Sequence, residues 1–133
     1  GPGPVITVNP DVIWKGANPL TLATAHWDPA RMDALLICVP VGAARGRLGG
    51  GDFSGSADGR LSRNGDLVYS GVQIIAPETV ARVPETVFSL NHVWNEISQS
   101  DRLYGIVHPG PWCDVGRPEG VELAEKLLLE PYV

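Results

Sequence analysis

Cysteine and basic residues are scarce in this sequence, and each scarcity excludes a class of protein. The two cysteines, Cys38 and Cys113, cannot form a disulfide framework, and both stand in apolar surroundings. We therefore expect buried, reduced thiols in a cytoplasmic protein. Lys and Arg number 10 against 15 Asp and Glu, so the net charge is −5, and the basic residues form no cluster. This charge pattern argues against binding to nucleic acid or to an anionic membrane surface.

Long apolar runs are also missing. The longest candidate, ALLICVPV at residues 34–41, has the length of a strand, whereas a membrane-spanning helix needs about 20 residues. The N-terminal GPGPVITVN has neither the basic region nor the long apolar stretch of a secretory signal peptide. Because the chain lacks an initiator Met and runs almost at once into a strand, we expect a piece of a longer protein. Its 133 residues, 44 % of them hydrophobic, suit one globular domain.

The first third of the chain predicts two apolar strands with a helix between them. PVITVN at residues 4–9 is apolar on both faces, as in an interior parallel strand, yet few elements precede it, so part of its sheet is expected to be missing. Asn18-Pro19 predicts a helix start, and this helix would run to about Trp27. Asp28-Pro29 predicts a further short helical turn before the ALLICVPV strand.

The rest of the chain predicts a β-meander followed by alternating helices and strands. After a mobile loop at residues 42–52, Asp58-Gly59 and Asn64-Gly65 are typical hairpin turns and indicate an antiparallel meander. Helices are predicted at 77–82, at 90–100 after a cap at Ser89, and at 118–129, with strands at 102–110 and 111–116. This alternation predicts an α/β fold with a mixed sheet, an inserted antiparallel β-meander and flanking helices.

Two acids follow apolar strands in distant parts of the sequence. Asp11 comes after VITVN, and Asp114 comes directly after PWC, at the end of that strand. Ligands of open α/β sheets bind beyond the carboxyl ends of strands, so these carboxylates could share one Mg²⁺, a cation that prefers oxygen ligands and serves reactions on phosphates. Alternatively, each acid only caps the turn or helix that follows it. The residues alone leave both interpretations open.

Other candidate sites have weaker support. GRLGGGD at 46–52 lacks the pattern of a phosphate-binding P-loop, and its composition favours a flexible connector. His26, His92 and His108 have no metal-ligand spacing and are expected to be structural or solvated. A hydrolase triad could be assembled from Ser70, His108 and Asp114, but no GxSxG sequence supports it.

Several segments taken together resemble one enzyme family. In their order along the chain, they are similar to the bacterial sugar-1-phosphate nucleotidyltransferases, in particular to the N-acetylmuramate-1-phosphate uridylyltransferase-like proteins, which are also described as mannose-1-phosphate guanylyltransferase-related. The segments are VNPDVIW (8–14), GDF and ADGRL within 51–61, YSGVQII (69–75), FSLNHVW (88–94) and WCDVGRPEG (112–120). The family's Gly-rich loop, which binds the nucleotide, has no counterpart here. The resemblance therefore implies that residues 1–133 are the C-terminal, sugar-phosphate side of a Rossmann-like nucleotidyltransferase domain.

The resemblance also implies an activity and a set of site residues. The family transfers a nucleotidyl group from a nucleoside triphosphate to a sugar 1-phosphate, with Mg²⁺ as cofactor and pyrophosphate as the second product, in NDP-sugar biosynthesis for the cell wall. Asp11 and Asp114 match the two metal-binding aspartates, although Pro10 stands where the family has Ala or Gly. The sugar-binding positions are matched by Ser70, Gly71, Gly51 and Asp52.

Expectations about activity and partners follow from the missing half. The chain should be inactive alone. Because its first strand would present an unpaired edge and an exposed apolar face, it should form a homodimer, swap a strand or associate with the missing half. The alternative from another class is a non-catalytic sugar-phosphate-binding or interaction module.

Overall fold

The computed structural model describes residues 3–47, 49–81, 90–116 and 118–129. Nine strands and four helices alternate along these segments, and a short 3₁₀ turn at Val41–Ala43 precedes the fourth strand. The strands are β1 (Val5–Val8), β2 (Val12–Trp14), β3 (Ala34–Pro40), β4 (Ala44–Arg45), β5 (Phe53–Gly55), β6 (Leu61–Arg63), β7 (Leu67–Ile75), β8 (Leu103–Val107) and β9 (Trp112–Asp114). The helices are α1 (Pro19–His26), α2 (Pro77–Ala81), α3 (Leu90–Gln99) and α4 (Pro118–Leu129).

The larger of two sheets is mixed and has β7 at its centre. Its order is β6-β5-β7-β3-β8, and β1 pairs with β7 beyond the point where β5 leaves it. β3 runs antiparallel to β7 and parallel to β8. β5, β6 and β7 form the predicted antiparallel meander, and its turns use positive φ angles at Gly59 and Asn64. The predicted α/β class with a mixed sheet and an inserted meander is confirmed.

The first strand is antiparallel to its neighbour, whereas a parallel strand was predicted, but its open edge among the described strands agrees with the expectation that part of its sheet is missing. β1 is antiparallel to β7, with Val5 opposite Ile75, and in the described part of the chain it has a neighbour on one side only. Its apolar side chains are consequently exposed, Val5 at 45 %, Ile6 at 43 % and Val8 at 54 %. A run of apolar residues indicates that a strand is covered in its final setting, but it does not show which strand pairs with it or in which direction.

The smaller sheet carries one of the two predicted acids. Its order is β2-β9-β4, with β2 antiparallel and β4 parallel to β9. β4 lies inside the stretch that was expected to be a mobile loop. Trp112 of β9 is buried against Val39 and Val68 of the larger sheet, and its Nε1 donates to the carbonyl oxygen of Ser70 at 2.9 Å. This contact fixes the smaller sheet against the larger one.

The helices cover the sheets with the faces that their sequences indicate. α1 begins as predicted: the Asn18 side chain accepts hydrogen bonds from the backbone N–H groups of residues 20 and 21, and Pro19 takes the first position. α3 buries Val93, Trp94 and Ile97 against the core. Residues 29–31 form the predicted short turn: the Met32 N–H donates to the Asp28 carbonyl oxygen at 2.8 Å, and the Asp28 side chain accepts from the Ala30 N–H at 3.1 Å.

Two predicted helix boundaries are not covered by the described residues. The predicted cap Ser89, and Arg82 at the expected end of α2, lie outside the described residues. No helix in the described segments combines the length and apolarity needed to cross a membrane.

Candidate active site

Antiparallel pairing of β2 with β9 brings the two predicted acids together. Val12 stands opposite Asp114, and the N–H of Val115 donates to the carbonyl oxygen of Asp11 at 2.8 Å. Asp11 therefore precedes the first residue of β2 at the point where Asp114 ends β9. The predicted convergence is found, but it arises from this pairing and not from two parallel strands ending at one edge.

The position of Gly116 measures how close the two carboxylates are. A β-carbon built on Gly116 would lie 3.0 Å from Oδ2 of Asp11 and 3.1 Å from Oδ1 of Asp114. Oδ2 of Asp11 and Oδ1 of Asp114 are therefore at most about 6 Å apart, and both face the space beside Gly116. Oδ1 of Asp114 also accepts a hydrogen bond of 2.7 Å from the Gly116 N–H, so this acid caps its turn as well.

Two carboxylates in this arrangement suit a hard divalent cation. Mg²⁺ binds at about 2.1 Å from each oxygen and is usually held by one or two carboxylates together with substrate phosphates and water. Within the described residues, no cluster of three or more His, Cys, Asp or Glu side chains offers a complete protein cage. The donor set therefore fits a cation whose remaining ligands come from substrate and solvent.

Both acids line one cavity at the junction of the two sheets. The cavity has a volume of about 250 Å³. Among the described residues, it is lined by side chains from both sheets, from α3 and from the adjoining loops: Asn9, Asp11, Val12, Arg47, Asp52, Tyr69, Ser70, Asn91, Trp94, Trp112 and Asp114. Each predicted acid thus faces the same space as two of the four predicted sugar-side residues, Ser70 and Asp52.

Asp52 is held in place at the cavity by bonds of its side chain and its backbone. Its Oδ2 accepts a hydrogen bond from the Tyr69 N–H at 3.0 Å, and its Oδ1 forms an ion pair with Nη2 of Arg47 at 2.9 Å. The Asp52 N–H donates to the Leu67 carbonyl at 2.6 Å. Asp52 therefore fixes the loop at 46–52 to β7 and orients the arginine.

Arg47 and Tyr69 are cavity residues that the sequence analysis missed. The signal for Arg47 was an arginine inside a glycine-rich loop, five positions before an acid. Burial raises the pKa of Tyr69 to about 12, so its hydroxyl keeps its proton at neutral pH.

Ser70, Gly71 and Gly51, which were predicted to bind the sugar, make a buried hydrogen bond or close backbone contacts. The Ser70 hydroxyl donates to the Ile37 carbonyl at 2.6 Å, and its side chain is fully buried. Gly71 has φ of +104°, and a β-carbon there would lie 2.9 Å from that of Asn9. A β-carbon on Gly51 would collide with the Gly65 carbonyl oxygen. Ser70 lines the cavity, whereas the two glycines allow close backbone packing beside it.

The hydrolase triad is not assembled. Both ring nitrogens of His108 lie within hydrogen-bonding distance of backbone carbonyl oxygens. Nε2 is 2.6 Å from the oxygen of Ala17, and Nδ1 is 3.1 Å from the oxygen of Gly110. The ring packs edge-on against Trp14. The Ser70 hydroxyl is bonded to Ile37 instead. His108 is structural, as expected.

The two thiols are buried and protonated. Burial raises the pKa of Cys38 to about 12, and burial followed by the nearby Asp114 charge raises the pKa of Cys113. Both cysteines are free, as expected from the sequence.

Comparison with known proteins supports the resemblance seen in the sequence. An N-acetylmuramate alpha-1-phosphate uridylyltransferase from Caulobacter vibrioides is 38 % identical over 137 aligned positions, which cover 98 % of this chain. By sequence, the chain is similar to part of a sugar-1-phosphate nucleotidyltransferase. It spans 57 % of that relative's length. No protein-family model matches the chain.

Solved structures show the same fold at low sequence identity. A Bacillus anthracis protein described as a glucose-1-phosphate thymidylyltransferase, in complex with sucrose, superposes with a TM-score of 0.71 at 9 % identity, over 96 % of this chain and 55 % of that one. HddC from Yersinia pseudotuberculosis gives a TM-score of 0.63 at 16 % identity, over 92 % of this chain and 55 % of that one. HddC complexed with GMP-PN gives 0.59 at 15 % identity with the same coverage.

Proposed function

We propose that the protein containing this chain transfers a nucleotidyl group from a nucleoside triphosphate to a sugar 1-phosphate. The observation that carries the proposal is the placement of the Asp11 and Asp114 carboxylates around one point in a cavity, in a chain related to a uridylyltransferase. UTP and N-acetylmuramate 1-phosphate are the first substrates to test, because they are the pair that the relative's name indicates.

The reaction requires positioning and charge neutralisation more than covalent catalysis. A phosphate oxygen of the sugar 1-phosphate attacks the α-phosphorus of the triphosphate, the bond to the bridging oxygen breaks, and pyrophosphate leaves with the electron pair. A bound Mg²⁺ would neutralise charge on the phosphates. Asp11 and Asp114 would hold the cation, and Asp52, Ser70 and Gly71 would form the wall that faces the sugar.

The test is pyrophosphate release by the full-length protein, screened over nucleotide and sugar-phosphate pairs. Asp11→Asn and Asp114→Asn should each lower turnover by orders of magnitude, because the neutral amides bind Mg²⁺ poorly, while circular dichroism and the melting temperature stay close to wild type. Asp66→Asn, on an exposed acid outside the cavity, is the matched control and should be fully active. Wild-type turnover in both site variants at saturating Mg²⁺ would contradict the assignment of the two acids.

The alternative, a non-catalytic sugar-phosphate-binding module, is separated by the same screen. Such a module would bind a sugar 1-phosphate in calorimetry yet release no pyrophosphate with any nucleotide. The length of the native protein discriminates as well, since an enzyme needs a further nucleotide-binding part of about a hundred residues or more.

We further infer that the outer edge of β1 is covered by the part of the protein that corresponds to the remaining length of the relative. The exposed side chains of Val5, Ile6 and Val8 continue into an apolar groove of about 370 Å³ that is also lined by Trp14 and Leu20. An apolar strand edge left open is a site of aggregation or pairing. Residues 1–133 alone should accordingly be inactive and should self-associate.

Size-exclusion chromatography with light scattering tests this inference. The wild-type chain should form dimers or larger species, and Ile6→Lys should shift it toward monomer, whereas Ser62→Lys on β6 should not. In the full-length protein, Ile6→Lys should lower the melting temperature. A stable wild-type monomer of residues 1–133 would refute the inference.

A further inference from the structure

Arg47 is the only cationic side chain among the described residues that line the active-site cavity. It follows β4, whose Arg45 pairs with Cys113 next to Asp114, and the intervening Gly46 has φ of +77° and packs against the Asp114 backbone. The arginine thus belongs to the same local structure as one of the two carboxylates. Its side chain is 29 % exposed, so it is reachable from solvent.

The guanidinium has hydrogen-bond donors to spare. Its described bonds both come from Nη2, to Oδ1 of Asp52 at 2.9 Å and to the carbonyl oxygen of Gly50 at 3.4 Å. Nε is buried and has no acceptor within the described part of the chain. A guanidinium carries five N–H donors in a planar fork, so donors remain for two oxygens of an anion such as a phosphate or a carboxylate.

Asp52 uses both of its charged oxygens in hydrogen bonds, whereas Arg47 does not use all of its donors in the described part of the chain. Both of its carboxylate oxygens are engaged, one by Arg47 and the other by the Tyr69 N–H. An acid held at both oxygens fixes the arginine in one orientation, which reduces the entropy lost when a ligand binds. Asp52 is consequently suited to holding the Arg47 guanidinium in place in the cavity, in addition to fastening the loop.

Charge in the cavity also favours an anionic ligand at Arg47. The lining acids are Asp11, Asp52 and Asp114. With a divalent cation between Asp11 and Asp114, and with Asp52 balanced by Arg47, the formal charge of the site is zero before substrate arrives. An incoming anion then meets two separate positive groups, the cation and the free edge of the guanidinium.

We propose that Arg47 binds an anionic group of the sugar phosphate and that Asp52 is its positioning residue. The inference deepens the proposed function and rests on it for the identity of the ligand. Two groups share the required chemistry, the 1-phosphate and, in N-acetylmuramate, the lactyl carboxylate.

The experiment is isothermal titration calorimetry on the full-length protein at one fixed Mg²⁺ concentration, so that the charge of Asp11 and Asp114 is balanced to the same extent in every variant. The probes are N-acetylglucosamine 1-phosphate, which carries only the phosphate, N-acetylmuramate, which carries only the carboxylate, and neutral N-acetylglucosamine. Arg47→Ala should weaken binding of one anionic probe by about tenfold or more, the range lost with a charge-assisted hydrogen bond, and should leave the neutral sugar unchanged. The probe that responds identifies the group that Arg47 holds.

Two further variants separate binding from a structural role. Arg47→Lys keeps the charge but not the fork and should recover part of the lost affinity. Asp52→Asn removes the same ion pair as Arg47→Ala, so the two should lower the melting temperature alike. Asp52→Asn should, however, lose less anion affinity than Arg47→Ala, because the guanidinium is still present but is no longer held in one orientation.

Several outcomes would overturn the inference. They are unchanged affinity of Arg47→Ala for both anionic probes, an equal loss for the neutral sugar, equal losses of anion affinity in Arg47→Ala and Asp52→Asn, and no binding of either anion by the wild type. The calorimetry needs no turnover, so a protein that binds an anion through Arg47 but releases no pyrophosphate would reject the proposed function and retain the inference.

Discussion

The indole N–H of Trp112 donates to the carbonyl oxygen of Ser70 across a distance of 2.9 Å, and this bond links the two sheets beside the cavity that contains Asp11 and Asp114. Trp112 lies two residues before Asp114, and Ser70 lies in the central strand of the larger sheet. Trp112 is 2 % exposed. The position of the Asp114 carboxylate therefore depends on how the smaller sheet is held against the larger one.

Trp112→Phe should destabilise the protein and impair the site together. The substitution leaves the buried Ser70 carbonyl without this donor and removes part of a buried ring, and we expect a loss of about 2–4 kcal/mol in the free energy of unfolding. Urea titration measures this loss, and Trp27→Phe, on a half-buried indole elsewhere, serves as the control. A loss no larger than that of the control would show that the bond contributes little.

Gly116→Ala should weaken the cation site while leaving the fold stable. The new methyl group would stand 3.0 Å and 3.1 Å from the two carboxylate oxygens, in the space that a shared cation needs. We expect the Mg²⁺ concentration for half-maximal turnover to rise by about tenfold, which corresponds to about 1.4 kcal/mol. Gly50→Ala, where a β-carbon meets no atom within 4 Å, is the control and should behave as wild type. An unchanged Mg²⁺ requirement would place the cation elsewhere.

Gly120→Ala should be destabilising although alanine is the better helix former. In an open helical position this change gains about 1 kcal/mol. In α4, however, a β-carbon at residue 120 would collide with the Asp114 carbonyl oxygen and lie 3.1 Å from the Cα of Val115. We expect a net loss of about 1–3 kcal/mol in thermal or urea unfolding, because the helix must move away from β9. A gain in stability would show that α4 is not packed this closely.

The thiols should be unreactive in the native protein, and Cys38 should make stability fall at alkaline pH. Ellman's reagent at pH 8 should label neither cysteine until urea is added, since reaction requires an exposed thiolate. Native Cys38 keeps its proton up to about pH 12, whereas an unfolded thiol loses it near the ordinary value of 9.0. The unfolded state then binds fewer protons, so stability decreases as pH rises between these values.

The alkaline effect is measured as the shift of the urea midpoint between pH 9 and pH 11. Cys38→Ala should show a smaller shift than the wild type, whatever its absolute stability. Equal shifts in the two proteins would assign the alkaline sensitivity to other groups. Rapid labelling of the native protein at pH 8 would contradict the burial of both thiols.

The parts of the fold that were predictable from sequence depend on neighbouring residues. Asn18 caps α1 because its side chain reaches backbone N–H groups two and three residues on, and Pro19 suits the first position. Asn64-Gly65 and Asp58-Gly59 form the turns of the meander because their backbones adopt positive φ angles at Asn64, Gly65 and Gly59. Such features need no knowledge of the rest of the molecule.

The failures all concern partners that are distant in sequence. β1 was expected to be parallel, but it pairs antiparallel with β7. Residues 44 and 45 were assigned to a loop because of their glycine-rich surroundings, yet they pair with β9. Arg47 was passed over because its ion pair with Asp52 becomes meaningful only once both residues face the cavity.

By itself, the sequence determined the α/β class, the order of the helices and the longer strands, the buried state of the thiols and the residue types available for chemistry, since these depend on composition, periodicity and short-range capping. Tertiary structure alone decided that Asp11 and Asp114 meet through antiparallel pairing of β2 and β9, and that Arg47 joins them in one cavity. The physical reason is that a carboxylate binds a cation only within a few ångströms, and residues a hundred positions apart reach that distance only through strand pairing and packing between the sheets.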